Sequence, residues 1–489
     1  MKKITLFLFA LLLYPAYSWE QIDLCLPVAA AQGGAITAQT RDWEAIGINP
    51  ANLGRENNHK FSITILNVGL SIESDALNFE GLKNAFTHPA DTFSMAEKQQ
   101  LKQAFSTPNG LNLYGDVNWL AFSFYFPKVG GFAVNLRERV TAHLTLSPTA
   151  ADIMFNGLNS AAYLNPAINS EKISQVLDGT NFSYYHYREL NLDYGKELFS
   201  LGGDDKTAAS TATASSGIAN LTKDDNAVPT ENEMSSNAFK MYGGLGIKYI
   251  WGLANVYADA ENGTIVAHSA VSSSYGINYG DIPGFNSTSV GNLFNNTGHG
   301  YGLDVGLSAS YKKWRFAVSA TDLGSIVWQH NTLTTVDTNM PKLNPNNYGI
   351  NSWTNVSDFA FSSNSVLNFK PGPDYSVALA AKLRSGVSYV LDKHVTISAD
   401  AVFPLNKVLG NLENPYYALA GQFTITKGVT VCLGFAGSGT YGFEMPLGFS
   451  LGLRNILVFY LGTSDILTYL GRQNNPNISV AMGLLRFNL

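Results

Sequence analysis

The sequence predicts an all-β protein, a transmembrane antiparallel β-barrel of about fourteen strands. Residues 300–328 form the clearest pattern, because two alternating apolar and polar stretches flank a two-residue turn at Lys312 and Lys313. Segments with the same alternation recur along the chain and are joined alternately by tight turns and long loops. Beyond residue 18, no stretch reaches the roughly 18 consecutive apolar residues that a membrane helix requires. A chain of this kind can cross a membrane only with strands.

The hairpin at 300–328 shows what each strand face would contact. Side chains alternate between the two faces of a strand, so one face of this hairpin is apolar and the other is small and polar. An apolar outside and a polar, glycine-rich inside are typical of strands that span a bilayer. The apolar face carries Tyr301, Leu303, Val305, Leu307, Trp314, Phe316 and Val318, and the polar face carries Gly302, Asp304, Gly306, Ser308, Arg315 and Ser319.

The composition agrees with a chain that faces lipid. Of 489 residues, 45% are hydrophobic and only 14% are charged, against about a quarter in ordinary domains. The net charge of −6, with no basic block or stripe, excludes nucleic acid as a partner.

The N-terminus indicates export. Residues 1–18 combine Lys2 and Lys3, an apolar run over 4–13 and the small-residue site Ala16-Tyr17-Ser18, which together predict a signal peptide. An exported barrel is expected in the outer membrane of a Gram-negative bacterium, in contact with outer-membrane lipid. The alternating C-terminal segment, which ends at Phe487-Asn488-Leu489, resembles the terminal strand that the barrel-assembly machinery recognises, so that machinery is an expected partner.

The strand count depends on how two segments of the chain fold. Residues 200–237 are rich in Ser, Thr, Ala and Asp and too poor in apolar side chains to fold alone, so we expect a disordered periplasmic insert. Residues 238–268 are expected to form one long strand with a kink or bulge at Gly252; a hairpin turning there would raise the count to fifteen or sixteen. The predicted strands are 60–72, 117–127, 132–147, 184–199, 238–268, 299–311, 314–328, 375–390, 394–404, 416–426, 429–436, 445–454, 456–463 and 478–488.

The outer loops are predicted to contain short helices. Ser94 and Glu97 form a capping-box pattern ahead of Leu101 and Phe105, so we expect one or two helices within 79–105.

A compact segment without strand pattern precedes the first strand. In 41–58, Pro50 favours extended backbone at Asn49, and Asn52 and Gly54 supply turn residues. Asn49-Pro50-Ala51 followed by Leu53 resembles the N-terminal motif of the long-chain fatty-acid transporter superfamily of outer-membrane barrels, and the 300–328 hairpin is similar to that superfamily's glycine-aspartate strand pair.

This resemblance implies the domain organisation. In the superfamily, the segment with this motif folds into the lumen as a hatch and fourteen strands enclose it. We therefore expect a signal peptide at 1–18, an N-terminal hatch or plug at 19–59, and an outer-membrane barrel at 60–489 that contains the insert at 200–237. Only Asn49, Pro50 and Ala51 carry over as the hatch motif; an ordinary periplasmic lead-in is the alternative for this segment.

The third predicted strand carries the richest set of inward polar side chains. Arg137, Arg139 and His143 alternate with apolar residues there, and Asp304 has the same inward orientation in the hairpin. Buried arginines require anionic partners; the candidates are Asp304, Asp400, Asp42 and Glu44. Either an arginine holds a substrate carboxylate by bidentate bonds, or the arginines form structural salt bridges between wall and hatch. The second interpretation is favoured.

The cysteines and the enzyme-like sequence patterns do not indicate a catalytic site. Cys25 and Cys432 would either form a disulfide or remain separate thiols, and the second outcome is favoured. The glycine pattern at 437–442 lacks a following helix, and Ser450 lies in mid-strand and not at a hydrolase elbow. The histidines are not spaced as metal ligands. We expect no enzyme, cofactor or metal.

Two functions remain open. The first is passive passage of small hydrophobic molecules around the hatch. The alternative is an interaction or shuttle protein in surface secretion or assembly, since superfamily members also serve that role. A continuous apolar tunnel with a lateral opening would favour the first, and a filled lumen with large ordered outer loops would favour the second.

Overall fold

The computed structural model describes residues 24–56, 60–74, 76–81, 83, 92–105, 110–202, 237–275, 296–343, 349–352, 366–367, 369–426, 428–438, 442–453, 457–471 and 476–488. The predicted signal peptide and most of the predicted insert at 200–237 lie outside these residues. Within the described helices, none is long and apolar enough to cross a membrane.

Fourteen strands in the described part of the chain close into an antiparallel barrel, which confirms the predicted fold class. Each strand pairs with the next, and the last strand pairs with the first from Ser62–Asn488 to Glu73–Asn477. The strands are β1 Phe61–Ser74, β2 Gly110–Phe126, β3 Gly130–Thr145, β4 Thr180–Leu201, β5 Phe239–Glu261, β6 Gly298–Tyr311, β7 Trp314–Trp328, β8 Tyr375–Ala378 with Lys382–Val390, β9 Val395–Pro404, β10 Tyr416–Thr426, β11 Val429–Ser438, β12 Gly442–Glu444 with Leu447–Leu453, β13 Leu457–Thr463 and β14 Asn477–Asn488.

The long fifth strand is confirmed, with one correction at its end. β4 pairs Tyr187 with Gly252 and His186 with Ala254, so Leu253 is the extra residue of a β-bulge, as expected beside Gly252. The strand stops at Glu261, however, and does not continue to residue 268. Asn262 and Gly263 both have positive φ, which suits a two-residue hairpin turn. Residues Thr264–Val271 then pair back onto β5.

The two ends of the barrel differ in their connections. Tight turns join β2 to β3, β6 to β7 and β8 to β9, and these define the turn end. The chain between Leu201 of β4 and Phe239 of β5 also leaves from the turn end, and the other long connections lie at the opposite, loop end. Outward faces of the strands are apolar, with exposed Leu245, Ile247 and Phe316. Aromatic rings gather near both ends of this apolar band: Phe132 and Tyr194 near the turn end, with centroids 4.7 Å apart, and Tyr249, Trp251 and Tyr301 on the loop side.

Short helices and the chain around them form a cap over part of the loop end. The described helices there are α2 Met95–Phe105, α3 Pro148–Asn156, α4 Ala161–Leu164, α5 Ile173–Val176 and α6 Ile466–Tyr469; α1, Pro27–Ala31, lies elsewhere. The predicted capping box is present, because the Ser94 N–H donates to Glu97 Oε2 (2.7 Å) and the Glu97 N–H donates to Ser94 Oγ (3.2 Å). α2 and α3 pack through Phe105 and Phe155 into one apolar core.

Residues 24–55, which we call the luminal segment, are buried except for Val28, which is partly buried. The segment contains α1 and two 3₁₀ turns, Asp42–Ala45 and Pro50–Gly54. It contacts inward faces on opposite sides of the closed wall: α1 lies against β12 to β14, and the second turn lies against β4, β5 and β6. The lumen is therefore filled over the depth that this segment occupies.

Candidate functional site

The motif Asn49-Pro50-Ala51 lies on four glycines that stand side by side in the wall. Gly131, Gly195, Gly244 and Gly306 pair in register across β3, β4, β5 and β6, and we call them the glycine row. A Cβ added at Gly244 would lie 2.2 Å from the Ala51 nitrogen. Added Cβ atoms at the other three would lie 2.3 Å or less from backbone or side-chain atoms of residues 49–53. Backbone therefore packs on backbone, and only glycine permits this approach.

Polar groups fasten the same part of the luminal segment. Asn49 caps the 3₁₀ turn by accepting the Ala51 N–H (3.0 Å), and its Nδ2 donates to the Leu307 carbonyl on β6 (3.1 Å). Ser319, which pairs with Gly306 in the next strand, donates its hydroxyl to the Ile48 carbonyl (2.5 Å). Close packing on the glycine row and hydrogen bonds to β6 and β7 thus both hold the motif Asn49-Pro50-Ala51 on the wall.

The earlier part of the segment is held on the other side of the lumen. Asp400 of β9 accepts the N–H groups of Ile36 (3.0 Å) and Thr37 (2.7 Å). Arg486 of β14 bridges to Asp42 (3.0 Å) and Glu44 (3.1 Å). These contacts are salt bridges and charge-assisted hydrogen bonds between wall and segment, of the kind that the sequence predicted, but the arginine is Arg486.

The charged side chains of the wall form a separate network, the charge belt. It lies on the inward face between β2 and β7 and is buried. Arg137 binds Asp116 through two nitrogens, and Arg139 lies 3.2 Å from both Glu189 and Asp322. Lys248 bridges Asp304 (3.0 Å) and Asp322. The belt consists of Asp116, Arg137, Arg139, Glu189, Lys248, Asp304 and Asp322.

A second bulge completes the belt. Leu303 pairs with Leu323 while Val305 pairs with Ala320, so β7 has an irregularity at Thr321 and Asp322, both of which are buried. Asp322 has φ of +58°, and its N–H donates to Asp304 Oδ1 (2.8 Å). The bulge turns the Asp322 carboxylate inward, where regular alternation would have turned it toward the outside.

The predicted partners of the two arginines are therefore wrong. Within the described residues, the carboxylates in contact with Arg137 and Arg139 are Asp116 on β2, Glu189 on β4 and Asp322 on β7, all of which belong to the wall. Asp304 pairs with Lys248. The luminal segment still passes over the arginines, since a Cβ at Gly47 would lie 3.4 Å from Arg137 Nη1. Both arginines therefore form ion pairs with carboxylates of the wall.

Other predicted site residues lie apart from the belt. His143 points inward near the loop end, where Nδ1 contacts Asn112 Oδ1 (2.6 Å) and Nε2 contacts Thr145 Oγ1 (3.0 Å). Cys25 and Cys432 are buried and form no disulfide with each other. The Cys25 N–H donates to Asp116 (3.1 Å), and Ser450 is a buried residue in mid-strand of β12.

An apolar cavity lies beneath the cap at the loop end. It encloses about 100 Å³ between α3 and the ends of β3, β4 and β5. Apart from Thr180 and Asp259, its lining is apolar: Leu144, Leu146, Ala150, Ile153, Met154, Leu177, Phe182, Ala258, Ala260, Ile265, Val366 and Leu367. We call this space the cap cavity. Its volume is about two thirds of that of an apolar cavity of roughly 150 Å³ that binds benzene, so a guest larger than a few heavy atoms requires the lining to move slightly.

A continuous row of aromatic rings leads from the cap cavity toward the charge belt. Asp259, at the edge of the cavity, accepts the Tyr257 hydroxyl (3.2 Å), and Arg139 of the belt donates to the Tyr187 hydroxyl (3.5 Å). Successive ring centroids are 4.3–6.5 Å apart, within the range of favourable aromatic pairs. The aromatic row comprises Tyr257, His268, Tyr375, Trp328, Tyr185 and Tyr187.

Strand β4 contributes residues to the aromatic row, the charge belt and the glycine row, in this order. From the loop end its inward residues are Tyr185 and Tyr187 of the aromatic row, Glu189 of the belt, Asp193, and Gly195 of the glycine row. Sequence reasoning identified β4 but assigned none of these roles. The signal was present, because strict alternation after residue 183 places every one of them on the face opposite Leu190 and Leu192.

These features define a class of protein: a closed fourteen-strand antiparallel barrel whose lumen holds its own N-terminal segment. By sequence, the chain belongs to the DUF5723 family, described as a family of unknown function, whose model matches residues 50–464. No curated protein matches the chain in sequence.

Several solved structures are similar to this chain. The toluene transporter TbuX of Ralstonia pickettii is 12% identical, with a TM-score of 0.43 over 98% of this chain and 100% of that one. The toluene transporter TodX of P. putida is 8% identical, with a TM-score of 0.41 over 98% and 99%. A FadL homologue of Pseudomonas aeruginosa is 10% identical, with a TM-score of 0.42 over 97% and 99%.

Proposed function

We propose that this chain is an outer-membrane barrel through which small hydrophobic molecules enter the cell passively. An apolar outer band with aromatic rings near both ends supports a position in a bilayer. The export signal expected at 1–18 supports the outer membrane. In this orientation the tight turns face the periplasm, and the cap and its cavity face the outside.

The observation that carries the proposal is the cap cavity with the aromatic row below it. The walls of the cavity are almost entirely apolar, so they suit an apolar guest. The rings from Tyr257 to Tyr187 then offer edges and faces that a second aromatic ring can pack against. In the proposal, a guest passes from the cap cavity along these rings into the barrel, and the buried rings move aside to admit it.

The luminal segment stands at the end of this route. It is held by backbone packing on the glycine row and by Asp400 and Arg486 on the opposite side. A molecule that reaches the charge belt can continue only if part of this segment moves, so the segment acts as a hatch in the proposal. The motif Asn49-Pro50-Ala51 is its anchored part.

Uptake into lipid vesicles tests the proposal. Toluene is the first probe, because two similar structures are named toluene transporters. Ala150→Leu fills much of the cap cavity, whereas Ala162→Leu adds the same atoms to the cap away from the cavity lining. We expect wild type and the Ala162 variant to accelerate uptake and the Ala150 variant to lose most of it. Equal rates in all three, or no rate above empty vesicles, would refute the proposal.

A second candidate function is supported by the filled lumen and the ordered cap. Both features suit a barrel that binds a partner at the loop end and conducts nothing. Native mass spectrometry in mild detergent can detect toluene bound in the cap cavity. If the barrel only binds a partner, neither wild type nor the Ala150 variant would bind toluene. A stoichiometric apolar ligand in wild type alone would favour transport.

A further inference from the structure

One carboxylate of the inner wall lacks the partners that its neighbours have. Asp193 on β4 is fully buried, and neither of its oxygens accepts a hydrogen bond within the described residues. It also forms no ion pair of 4 Å or less there, unlike the four carboxylates of the charge belt. A buried carboxylate without such partners is strongly disfavoured in its ionised form.

The register of the strands places Asp193 beside a second acid. Asp193 pairs with Gly246 of β5, and Gly246 pairs with Asp304 of β6, so the two aspartates flank a residue without a side chain. A Cβ added at Gly246 would lie 2.5 Å from Asp193 Oδ1, which shows that the Asp193 carboxyl extends over this glycine.

The surrounding charges leave no cation for Asp193. From its own strand it faces Glu189, from β5 Lys248, from β6 Asp304 and from β7 Asp322. Lys248 is already shared between Asp304 and Asp322. Lys382 of β8 acts on Asp322, and the arginines of β3 are paired with Asp116, Glu189 and Asp322. Counting Lys382, four cations face four belt carboxylates, and an ionised Asp193 would be a fifth.

The hatch motif covers this position. Gly195 and Gly244, each two residues from the Asp193–Gly246 pair toward the turn end, lie directly under Pro50 and Ala51. The residues of the luminal segment that pack there, Asn49 to Ala51, carry no charge. Movement of the motif off the glycine row would therefore open a path for water from the turn end toward Asp193.

We propose that Asp193 is a proton-binding site: it holds one proton while Asn49-Pro50-Ala51 rests on the glycine row, and it releases that proton to water when the motif moves away. A proton is favoured over a metal ion because no group of three or more His, Cys, Asp or Glu side chains in the described chain is arranged to hold one. The inference is independent of whether the barrel conducts hydrophobic molecules.

Infrared spectroscopy of the full-length barrel in lipid at neutral pH tests whether Asp193 holds a proton. We expect a carboxylic-acid carbonyl band in wild type that is lost in Asp193→Asn and retained in the control Asp392→Asn, which changes an exposed turn residue. Asparagine resembles the neutral acid, so the melting temperature should not change. A band unaffected by Asp193→Asn would overturn the proposal.

A measurement on wild type keeps the test valid if Asp193→Asn does not assemble. Aspartate labelled with heavy carbon at its carboxyl group should shift this band in the unsubstituted protein, and absence of any shifted band would overturn the proposal.

Release of the proton on movement of the motif is tested with Gly244→Val, whose side chain displaces Ala51 from the glycine row. The band should decrease there and persist in Gly243→Val, which alters the outward face; a band of full height in both would refute release by movement of the motif.

Discussion

Replacing Gly244 with alanine should loosen the hatch motif without disturbing the barrel wall. The new Cβ would lie 2.2 Å from the Ala51 nitrogen and from the Pro50 carbonyl carbon, whereas ordinary Cβ contacts begin near 3.4 Å. Pro50 and Ala51 must therefore retreat by roughly 1 Å. Overpacking of this kind typically costs about 1–3 kcal/mol, and the motif can escape it only by leaving the row.

Gly243→Ala is the matched control, because it changes the adjacent glycine on the outward face of the same strand. Its Cβ would meet only the flexible end of Leu198, at 3.1 Å. Both variants carry the same loss of glycine flexibility, so the difference between them reports the contact with the luminal segment.

The assay is hydrogen–deuterium exchange of the barrel in lipid, followed in peptides that cover residues 45–56. We expect faster exchange there in Gly244→Ala than in Gly243→Ala, with unchanged protection in β4 and β6. Chemical unfolding in vesicles should show the Gly244 variant less stable by about 1–3 kcal/mol. Equal exchange and equal stability of the two variants would show that the motif does not rest on this glycine.

Three further predictions concern the belt, the cap and the cysteines. Arg139→Met removes the nearest cation of the buried Glu189 and one of the two cations bound to Asp322, and it should lower the free energy of unfolding by about 3–5 kcal/mol; a near-neutral result in vesicle unfolding would contradict the ion-pair assignment. In the cap, burial opposes ionisation of Asp152, but bonds from Lys102 (2.6 Å), Asn156 and the Ala161 N–H hold the pKa of its carboxyl below the usual range. The cap stability from this carboxyl should therefore be present above its unfolded pKa of about 4 and lost as pH falls through the lower folded value; limited proteolysis should show this loss in wild type and less of it in Asp152→Asn. Finally, reductant should leave the gel mobility of the unfolded chain unchanged, since Cys25 and Cys432 form no disulfide; a shift would show that they do.

The strand pattern could be predicted from the sequence because each inward or outward choice is local. Alternation placed Arg137, Arg139, His143 and Asp304 on the inner face, and all four are buried there. The same rule, applied to β4, would also have given Glu189 and Asp193. It could not place Asp322, because a β-bulge reverses the alternation at that point.

The ion-pair partners could not be predicted, because they depend on register between strands. Arg139 finds Glu189 on β4 and Asp322 on β7, which are neighbours only after the barrel curves and closes. From the sequence, the acids of the luminal segment were equally good candidates. Closure decided that wall carboxylates satisfy the arginines and that Arg486 takes Asp42 and Glu44.

The sequence by itself determined a fourteen-strand barrel, its two faces and the motif Asn49-Pro50-Ala51, since alternation and turn chemistry act over a few residues. Only the tertiary structure decided that Gly131, Gly195, Gly244 and Gly306 form one row under that motif. These glycines are up to 175 residues apart in the chain, and nothing local distinguishes them from the other glycines of the strands. Their common position follows from strand register, which is fixed when the whole sheet pairs, twists and closes on itself.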